Sequence, residues 1–228
     1  MNLKSNNYKL HLIKESEHGL FFSPVKDEKT MAMIEELAHA FEKNYNRIID
    51  MFMFKHNQKT IVHVYSDREQ FYKIIGRKTE GTYDASDNII KLYTPLSLDD
   101  PDIFLEYTFQ IVHEFVHEVI QQINPIVGKA KWLDEGIAYF ASLQLDHELK
   151  NRSKISNIPT LEQLISPTFY DNFDGSAYLI CGLIVKFITE KYGINTLNEF
   201  IRRNPEGIEE ILNISLERFY LEWKQSLQ

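Results

Sequence analysis

The chain has little of what several protein classes require. It contains a single cysteine, Cys181, so no intrachain disulfide can form and a small disulfide-stapled scaffold is excluded. Because Cys181 lies in an apolar run, we expect a buried, unreactive thiol. The 9 glycines and 7 prolines are spread over 228 residues and form no linker. We therefore expect one domain or two closely packed lobes.

Long apolar runs and an excess of positive charge are also missing. The longest apolar run, 177–185, is too short to span a bilayer, and the N-terminal residues lack the apolar core of a signal peptide. We therefore expect a cytoplasmic protein that does not contact membranes, unless a leader has been removed. With 25 basic and 33 acidic residues, the net charge is −8, which argues against a nucleic-acid partner.

What the chain does contain is a metal-binding pattern. His113, Glu114 and His117 form the segment HEFVH inside a stretch with helical apolar periodicity. Side chains four residues apart lie one above the other on a helix, so the two imidazoles can bind the same ion. Glu114 points in another direction, close to such an ion without binding it. The alternative is that both histidines are the solvated edge of an ordinary helix.

The flanking residues predict where this helix begins and ends. Asp100 can cap it, Pro101 suits its first position, and the pair Asn124-Pro125 ends it. Apolar residues at three- and four-residue spacing form one face, and a polar stripe that contains Gln110 and both histidines lies beside it. This pattern is typical of a buried helix that borders a water-filled cleft.

A third metal ligand is predicted 18 positions after His117, at Glu135 in the segment WLDEGIAYF. Catalytic zinc usually has three protein ligands, and two histidines with one glutamate are a standard set. A second helix beginning near Trp132 would carry Glu135 and Tyr139 on one face. Small residues such as Gly136 would let it approach the first helix closely. The alternative for Glu135 is a surface charge on an amphipathic helix.

The segments HEFVH and WLDEGIAYF together resemble the gluzincin branch of zinc peptidases, and most closely the small peptidase MA-like domains. The resemblance runs from about residue 60 to the C-terminus. It implies that His113, His117 and Glu135 bind Zn²⁺ and that Glu114 is the catalytic base.

The chain before residue 100 predicts part of a sheet. Residues 61–65 alternate as a strand, and Ser66 with Glu69 forms a capping box for the helix that follows. Residues 88–93 form a second strand. By the resemblance, this second strand is the edge strand that pairs with the backbone of a bound peptide. A plain internal strand is the alternative.

Strands and helices alternate in residues 1–100, whereas residues 101–228 are predicted to be almost entirely helical. We therefore expect an α+β fold that forms one compact catalytic domain. Its N-terminal lobe would contain a small mixed or antiparallel sheet with helices, and its mostly helical C-terminal lobe would carry the metal ligands. A zincin-like cleft would lie between them.

Two departures from the gluzincin pattern bear on which kind of peptidase the chain resembles. The chain has no G-x-M-E-N segment, the element with which aminopeptidases of this clan hold a free amine, so the resemblance favours cleavage of internal bonds. The only histidine after Glu135 is His147, which follows too closely for the transition-state donor of the thermolysin-like branch. Tyr178 is the candidate donor instead. The alternative for Tyr178 is a core aromatic.

Together these residues predict a zinc-dependent metallopeptidase. Its metal-activated water would attack a peptide bond while Glu114 acts as general base. We expect an endopeptidase whose partner is a peptide or protein substrate. Two alternatives stay open, an aminopeptidase and a metal-binding, peptidase-like regulatory or binding module without general proteolytic activity.

Overall fold

A computed structural model describes residues 9–95, 100–151, 157–173 and 177–227, apart from the side chain of Asp171. Within it the chain divides into two units with dense internal contacts. The first comprises Met1–Ile49 and Lys55–Glu118, and the second comprises Asp50–Phe54 and Val119–Gln228. The division after Glu118 falls inside a helix.

The first unit is built on a five-stranded mixed sheet in the order β1-β2-β3-β5-β4. The central strands β2, β3 and β5 run parallel, and the outer strands β1 and β4 are each antiparallel to their neighbour. With helices following the strands along the chain, this confirms the predicted α+β fold class. The strands are β1 His11–Glu15, β2 Gly19–Ser23, β3 Thr60–Tyr65, β4 Gly81–Asp84 and β5 Ile89–Tyr93.

The prediction that residues 88–93 form an edge strand is wrong. β5 lies between β3 and β4, with Val62 opposite Ile90 on one side and Tyr83 opposite Ile90 on the other. On that side of the described sheet the edge strand is β4, which reaches β5 through a turn where Asn88 has a φ of 57°. Its four residues, GTYD, are too short and too polar to show strand periodicity, and for this reason the sequence pattern did not reveal them.

The described part of the first unit also contains two helices in addition to the one that carries HEFVH. Helix α1, Glu28–Met51, buries the apolar stripe that contains Ile34, Leu37 and Phe41. Helix α2, Arg68–Ile75, is capped one residue later than predicted. The Asp67 carboxylate, and not Ser66, accepts a hydrogen bond from the backbone N–H of Gln70 at 3.0 Å. Aspartate and serine are both favoured at this position, so composition alone does not choose between neighbours.

Helix α3, Pro101–Ile123, carries HEFVH and has the predicted ends. Asp100 Oδ1 accepts a hydrogen bond from the backbone N–H of Asp102 at 2.9 Å, and the helix stops immediately before Asn124-Pro125. The division between the two units falls within α3, so the helix contributes residues to both.

The second unit is helical in its described part. A short 3-10 helix, Val127–Lys129, precedes α4. The α-helices are α4 Lys131–Ala141, α5 Gln144–Asn151, α6 Leu161–Leu164, α7 Phe169–Asn172, α8 Ala177–Tyr192, α9 Ile194–Arg202, α10 Ile208–Leu212 and α11 Leu216–Ser226.

Helices α4 and α8 approach each other closely. A Cβ atom added to Gly136 in α4 would lie 2.7 Å from the backbone oxygen of Cys181 in α8, so only glycine fits there. The predicted close approach of Gly136 is thus made with α8, whereas the sequence pattern assigned it to α3. Across the described ranges, none of the helices combines the length and the apolar character that a bilayer span requires.

Candidate metal centre and active site

The two histidines of HEFVH form a buried pair on α3. Both residues are 6% exposed, and their Nε2 atoms lie 3.1 Å apart. Nitrogens bound to one tetrahedral zinc ion at its usual bond length lie about 3.3 Å apart. The spacing of His113 and His117 therefore fits binding of a single ion.

The same face of α3 meets α4 one turn further on. Gln121 Nε2 donates to both carboxylate oxygens of Asp134, at 3.3 and 3.2 Å. Gln121 follows His117 by one turn, and Asp134 directly precedes Glu135. In agreement with this contact, the ligand atoms of His113, His117 and Glu135 all lie within 4.8 Å of one another. The three predicted ligands are neighbours.

The chemistry of this group suits a transition-metal ion such as zinc. Two imidazole nitrogens and one carboxylate oxygen form a standard ligand set for catalytic zinc, with a fourth position left for water or substrate. His113 and His117 are buried, and Glu135 is half-buried. The residues present fit Zn²⁺, and its binding remains a prediction.

Glu114 is held by a neighbour on its own helix. Glu114 is only 3% exposed, and its Oε1 accepts a hydrogen bond from Nε2 of Gln110 at 2.7 Å. Because the two residues are one turn apart, the contact needs no distortion of α3. The sequence placed Gln110 on the polar stripe but did not identify it as a partner of the candidate base.

Strand β4 passes directly against this pair. A Cβ atom added to Gly81 would lie 2.6 Å from Glu114 Oε1 and 2.9 Å from Gln110 Nε2. The sheet edge therefore approaches the candidate base so closely that any side chain at position 81 would require Glu114 and Gln110 to shift. The sequence did not reveal this contact, because a lone glycine in a polar segment carries no signal of its partner.

The residue before Gly81 ties β4 to α3. The hydroxyl of Tyr107 donates to Glu80 Oε2 at 3.2 Å, and Tyr107 is 8% exposed. Burial, followed by the negative charge of Glu80, raises the pKa of Tyr107 above its ordinary value. This tyrosine therefore stays protonated and keeps donating, which fixes the start of β4 on the helix that carries the candidate base.

Tyr178 lies in the first turn of α8 and is 41% exposed. Its ring centroid is 6.4 Å from that of Tyr139 and 5.8 Å from that of Tyr170. Tyr139 follows Glu135 by one turn of α4, so Tyr178 adjoins the face of α4 that carries the third ligand. It is not a buried core residue, and its catalytic role remains a prediction.

Tyr170 is a neighbour of Glu135 that the sequence did not reveal. Its hydroxyl donates to the backbone oxygen of Lys131 at 2.9 Å and lies 3.1 Å from Sγ of Cys181. Burial raises the pKa of Tyr170, and the nearby Cys181 and Glu135 raise it further. Tyr170 stands in the polar segment TFYDN, where periodicity gives no signal of burial.

Cys181 is buried, as predicted. The pKa of its thiol is raised to about 12, mainly because the side chain is buried. The thiolate is the reactive form of cysteine, so this residue is not a nucleophile at neutral pH.

A second group with metal-ligating side chains, formed by Glu17, His18 and Glu42, is a structural contact. Glu42 accepts from His18 through both oxygens, at 2.7 Å from Nδ1 and 2.8 Å from the backbone N–H. The His18 ring stacks on Tyr45 at 3.7 Å. Burial tends to raise the pKa of Glu42, but hydrogen bonds from His18 and Ser16 lower it overall. The group fixes the β1–β2 turn on α1.

Comparison with known proteins gave no match to a protein-family model or to a curated protein. What the chain does must therefore be inferred from the side chains of the site.

Proposed function

We propose that this chain is a zinc-dependent metallopeptidase that cleaves internal peptide bonds. His113, His117 and Glu135 would hold the ion and Glu114 would act as general base. The observation that supports this most is the grouping of the three ligand atoms within 4.8 Å of one another, with Glu114 next to His113 on α3. The resemblance to gluzincins points to the same residues.

Each residue of the site has a distinct task. A bound zinc ion supplies Lewis acidity and makes water nucleophilic near neutral pH. Glu114 accepts the proton of the attacking water and passes it to the leaving amine, a task that typically contributes about 10²- to 10⁴-fold in rate. Gln110 fixes the orientation of the Glu114 carboxylate through its 2.7 Å hydrogen bond.

Negative charge develops on the carbonyl oxygen during attack and needs a hydrogen-bond donor. Tyr178 is the proposed donor, because its side chain is partly exposed and its ring lies beside Tyr139, on the face of α4 that carries Glu135. A tyrosine hydroxyl is protonated at neutral pH and can donate without a change of charge.

The edge strand β4 is the proposed site for the substrate backbone. In the described part of the sheet it pairs with β5 on one side only, and Gly81 brings it against Glu114. An extended peptide can add to such an edge through main-chain hydrogen bonds. Recognition of main chain, together with the missing amine-binding segment, favours cleavage inside a chain over cleavage at its N-terminus.

The test combines metal analysis with cleavage of a mixed peptide library, with and without a chelator. We expect stoichiometric zinc and chelator-sensitive cleavage in the wild-type protein. Glu114→Gln should keep zinc and lose turnover, whereas His113→Ala should lose both. The exposed residue Glu106 on the same helix provides the control variant Glu106→Gln, which should behave as wild type.

The outcomes separate the candidate functions. Cleavage that persists in Glu114→Gln would contradict the proposed chemistry. Products cut only at N-termini would indicate an aminopeptidase. Bound zinc without cleavage of any library peptide would indicate a regulatory or binding module.

A further inference from the structure

A cavity of about 570 Å³ lies within the second unit and is lined by residues of that unit alone. Its walls come from the start of α4, the segment 161–170, α8, and the region from α10 to α11. Pockets of about 300–1,000 Å³ are typical sites for small molecules. The volume therefore suits a ligand rather than a single trapped water.

The lining is mostly apolar and aromatic. It includes both tryptophans of the chain: Trp132 lies in the first turn of α4, and Trp223 in α11 is fully buried. Aliphatic side chains such as Leu161, Ile184 and Ile208 complete it. Such walls favour an apolar ligand body over a sugar or a nucleotide.

The charges around the cavity favour a negative group. Lys129 and Lys131 both line it and are exposed, and neither forms an ion pair with a carboxylate in the described ranges. The Nζ of Lys131 lies 5.7 Å from the ring of Tyr170, another lining residue. Glu206 is the one carboxylate among the lining residues, so two cations stand against one anion.

We propose that this cavity binds an amphipathic monocarboxylate, a molecule with an apolar body and one carboxylate group. The apolar body occupies the aromatic and aliphatic interior, and the carboxylate lies at Lys129 and Lys131. None of the three predicted metal ligands lines the cavity, and its occupancy requires neither bound zinc nor peptidase activity.

The two tryptophans give a direct assay, since both line the cavity. Metal-free protein is titrated with decanoate, decanol and decylammonium, each below the concentration at which it self-associates, and tryptophan fluorescence is recorded. We expect a saturable change with decanoate and binding of decanol that is about 5- to 10-fold weaker, because ion pairs near the surface contribute about 1 kcal/mol. Decylammonium should bind more weakly still.

Variants separate the contribution of charge from that of the apolar walls. The double variant Lys129→Met with Lys131→Met should lower the affinity for decanoate to that for decanol and leave decanol binding unchanged. Ile208→Phe should weaken all three probes by filling the cavity. Lys73→Met and Ile74→Phe, on α2 in the first unit, are the matched controls and should bind as wild type does.

Trp132→Phe and Trp223→Phe each leave one tryptophan, and each should retain a saturable response to decanoate. Circular dichroism and thermal melts establish that every variant is folded, and Leu161→Phe replaces Ile208→Phe should the latter not fold. Absence of a saturable response to decanoate in folded wild-type protein would overturn the proposal. So would equal affinities for the three probes, or a decanoate affinity that the double lysine variant leaves unchanged.

Discussion

The side-chain amide of Gln110 donates a hydrogen bond to the carboxylate of Glu114, with 2.7 Å between Nε2 and Oε1. Both side chains lie against Gly81 of the edge strand, where a Cβ atom would approach each of them within 3 Å. The candidate base is therefore held from two sides, by a donor on its own helix and by the backbone of β4.

Replacing Gln110 by leucine removes the donor and keeps a side chain of similar size. We expect kcat to fall about 10- to 100-fold, because a hydrogen bond to a charged group is worth about 1.5–3 kcal/mol and the base then samples other orientations. KM and zinc content should change little, since Gln110 is neither a metal ligand nor on the sheet edge. Steady-state kinetics on a cleaved library peptide and metal analysis measure these quantities.

The matched control for Gln110→Leu is Gln70→Leu on α2, which should leave kcat, KM and zinc content unchanged. A Gln110→Leu enzyme with wild-type kcat would show that this hydrogen bond does not position the base. Loss of zinc from the variant would show instead that Gln110 supports the metal ligands.

Gly81→Ala tests the contact between the edge strand and the base. The added methyl group would lie 2.6 Å from Glu114 Oε1, so the carboxylate or the strand must move. Displacements of about 1 Å in a catalytic group can cost about 10²-fold in rate. We expect kcat/KM to fall by about that factor, with a loss of about 1–3 kcal/mol in the free energy of unfolding from overpacking.

Gly76→Ala is the control that separates local strain from this contact. Gly76 has a φ of 80° and no atom within 4 Å of an added Cβ, so alanine there costs about 1 kcal/mol in stability from backbone conformation alone. Its kcat/KM should stay at the wild-type value. An equal loss of activity in both variants would mean that destabilisation, and not displacement of Glu114, explains the effect of Gly81→Ala.

Helix α3 shows what the sequence could predict. Its ends follow from Asp100, Pro101 and Pro125, and its buried face follows from apolar residues at helical spacing, so each signal is local. The place of β5 in the sheet could not be predicted in this way. Strand order depends on pairing between distant segments, and the partner that makes β5 internal is a four-residue polar strand.

The same distinction between local patterns and contacts made by packing applies to the residues of the candidate site. His113, Glu114 and His117 could be found because their spacing on one helix is written in the sequence, and Glu135 because its segment resembles a known pattern. The contact of Gly81 with Glu114 and the position of Tyr170 near Glu135 arise only when separate elements pack together. Nothing in the local pattern of either residue indicates its partner.

The β4–β5 hairpin should weaken in acid through Asp84. Hydrogen bonds from Ser86 and then from Lys91, whose Nζ is 3.0 Å away, lower the pKa of Asp84 from 3.8 to about 2. Because the folded-state pKa lies below the unfolded one, the stabilisation is complete above about pH 4 and disappears as the pH falls to about 2. The Asp84 side chain is 41% exposed, so we expect the contribution to be below about 1 kcal/mol.

Urea unfolding of wild type and Asp84→Asn at neutral pH and at about pH 2 measures this contribution. The difference in unfolding free energy between the two proteins should be present at neutral pH and vanish at the acid end. Asp50→Asn, at the end of α1, is the control. A difference that persists unchanged in acid would show that the substitution acts through something other than the charge of Asp84.

Glu118 should be the most costly carboxylate to remove from α3. Its side chain is 1% exposed, and its two oxygens lie 2.9 Å from Oγ1 of Thr60 and 3.3 Å from Nε2 of His56. Glu118→Ala leaves the buried Thr60 hydroxyl without its acceptor and removes the carboxylate next to His56 Nε2, and we expect a loss of about 3–5 kcal/mol in the free energy of unfolding, measured in urea. Glu118→Gln keeps an oxygen acceptor and should lose less.

Glu106→Ala, an exposed position on the same helix, should change stability by no more than about 0.5 kcal/mol. An equal effect of Glu118→Ala and Glu106→Ala would contradict the role of Glu118 as an anchor. Since Glu118 directly follows His117, its contact with Thr60 fixes α3 to the start of β3 beside the candidate metal ligand. Loss of zinc affinity in Glu118→Gln, under conditions where the variant is fully folded, would therefore show that this anchor also positions His117.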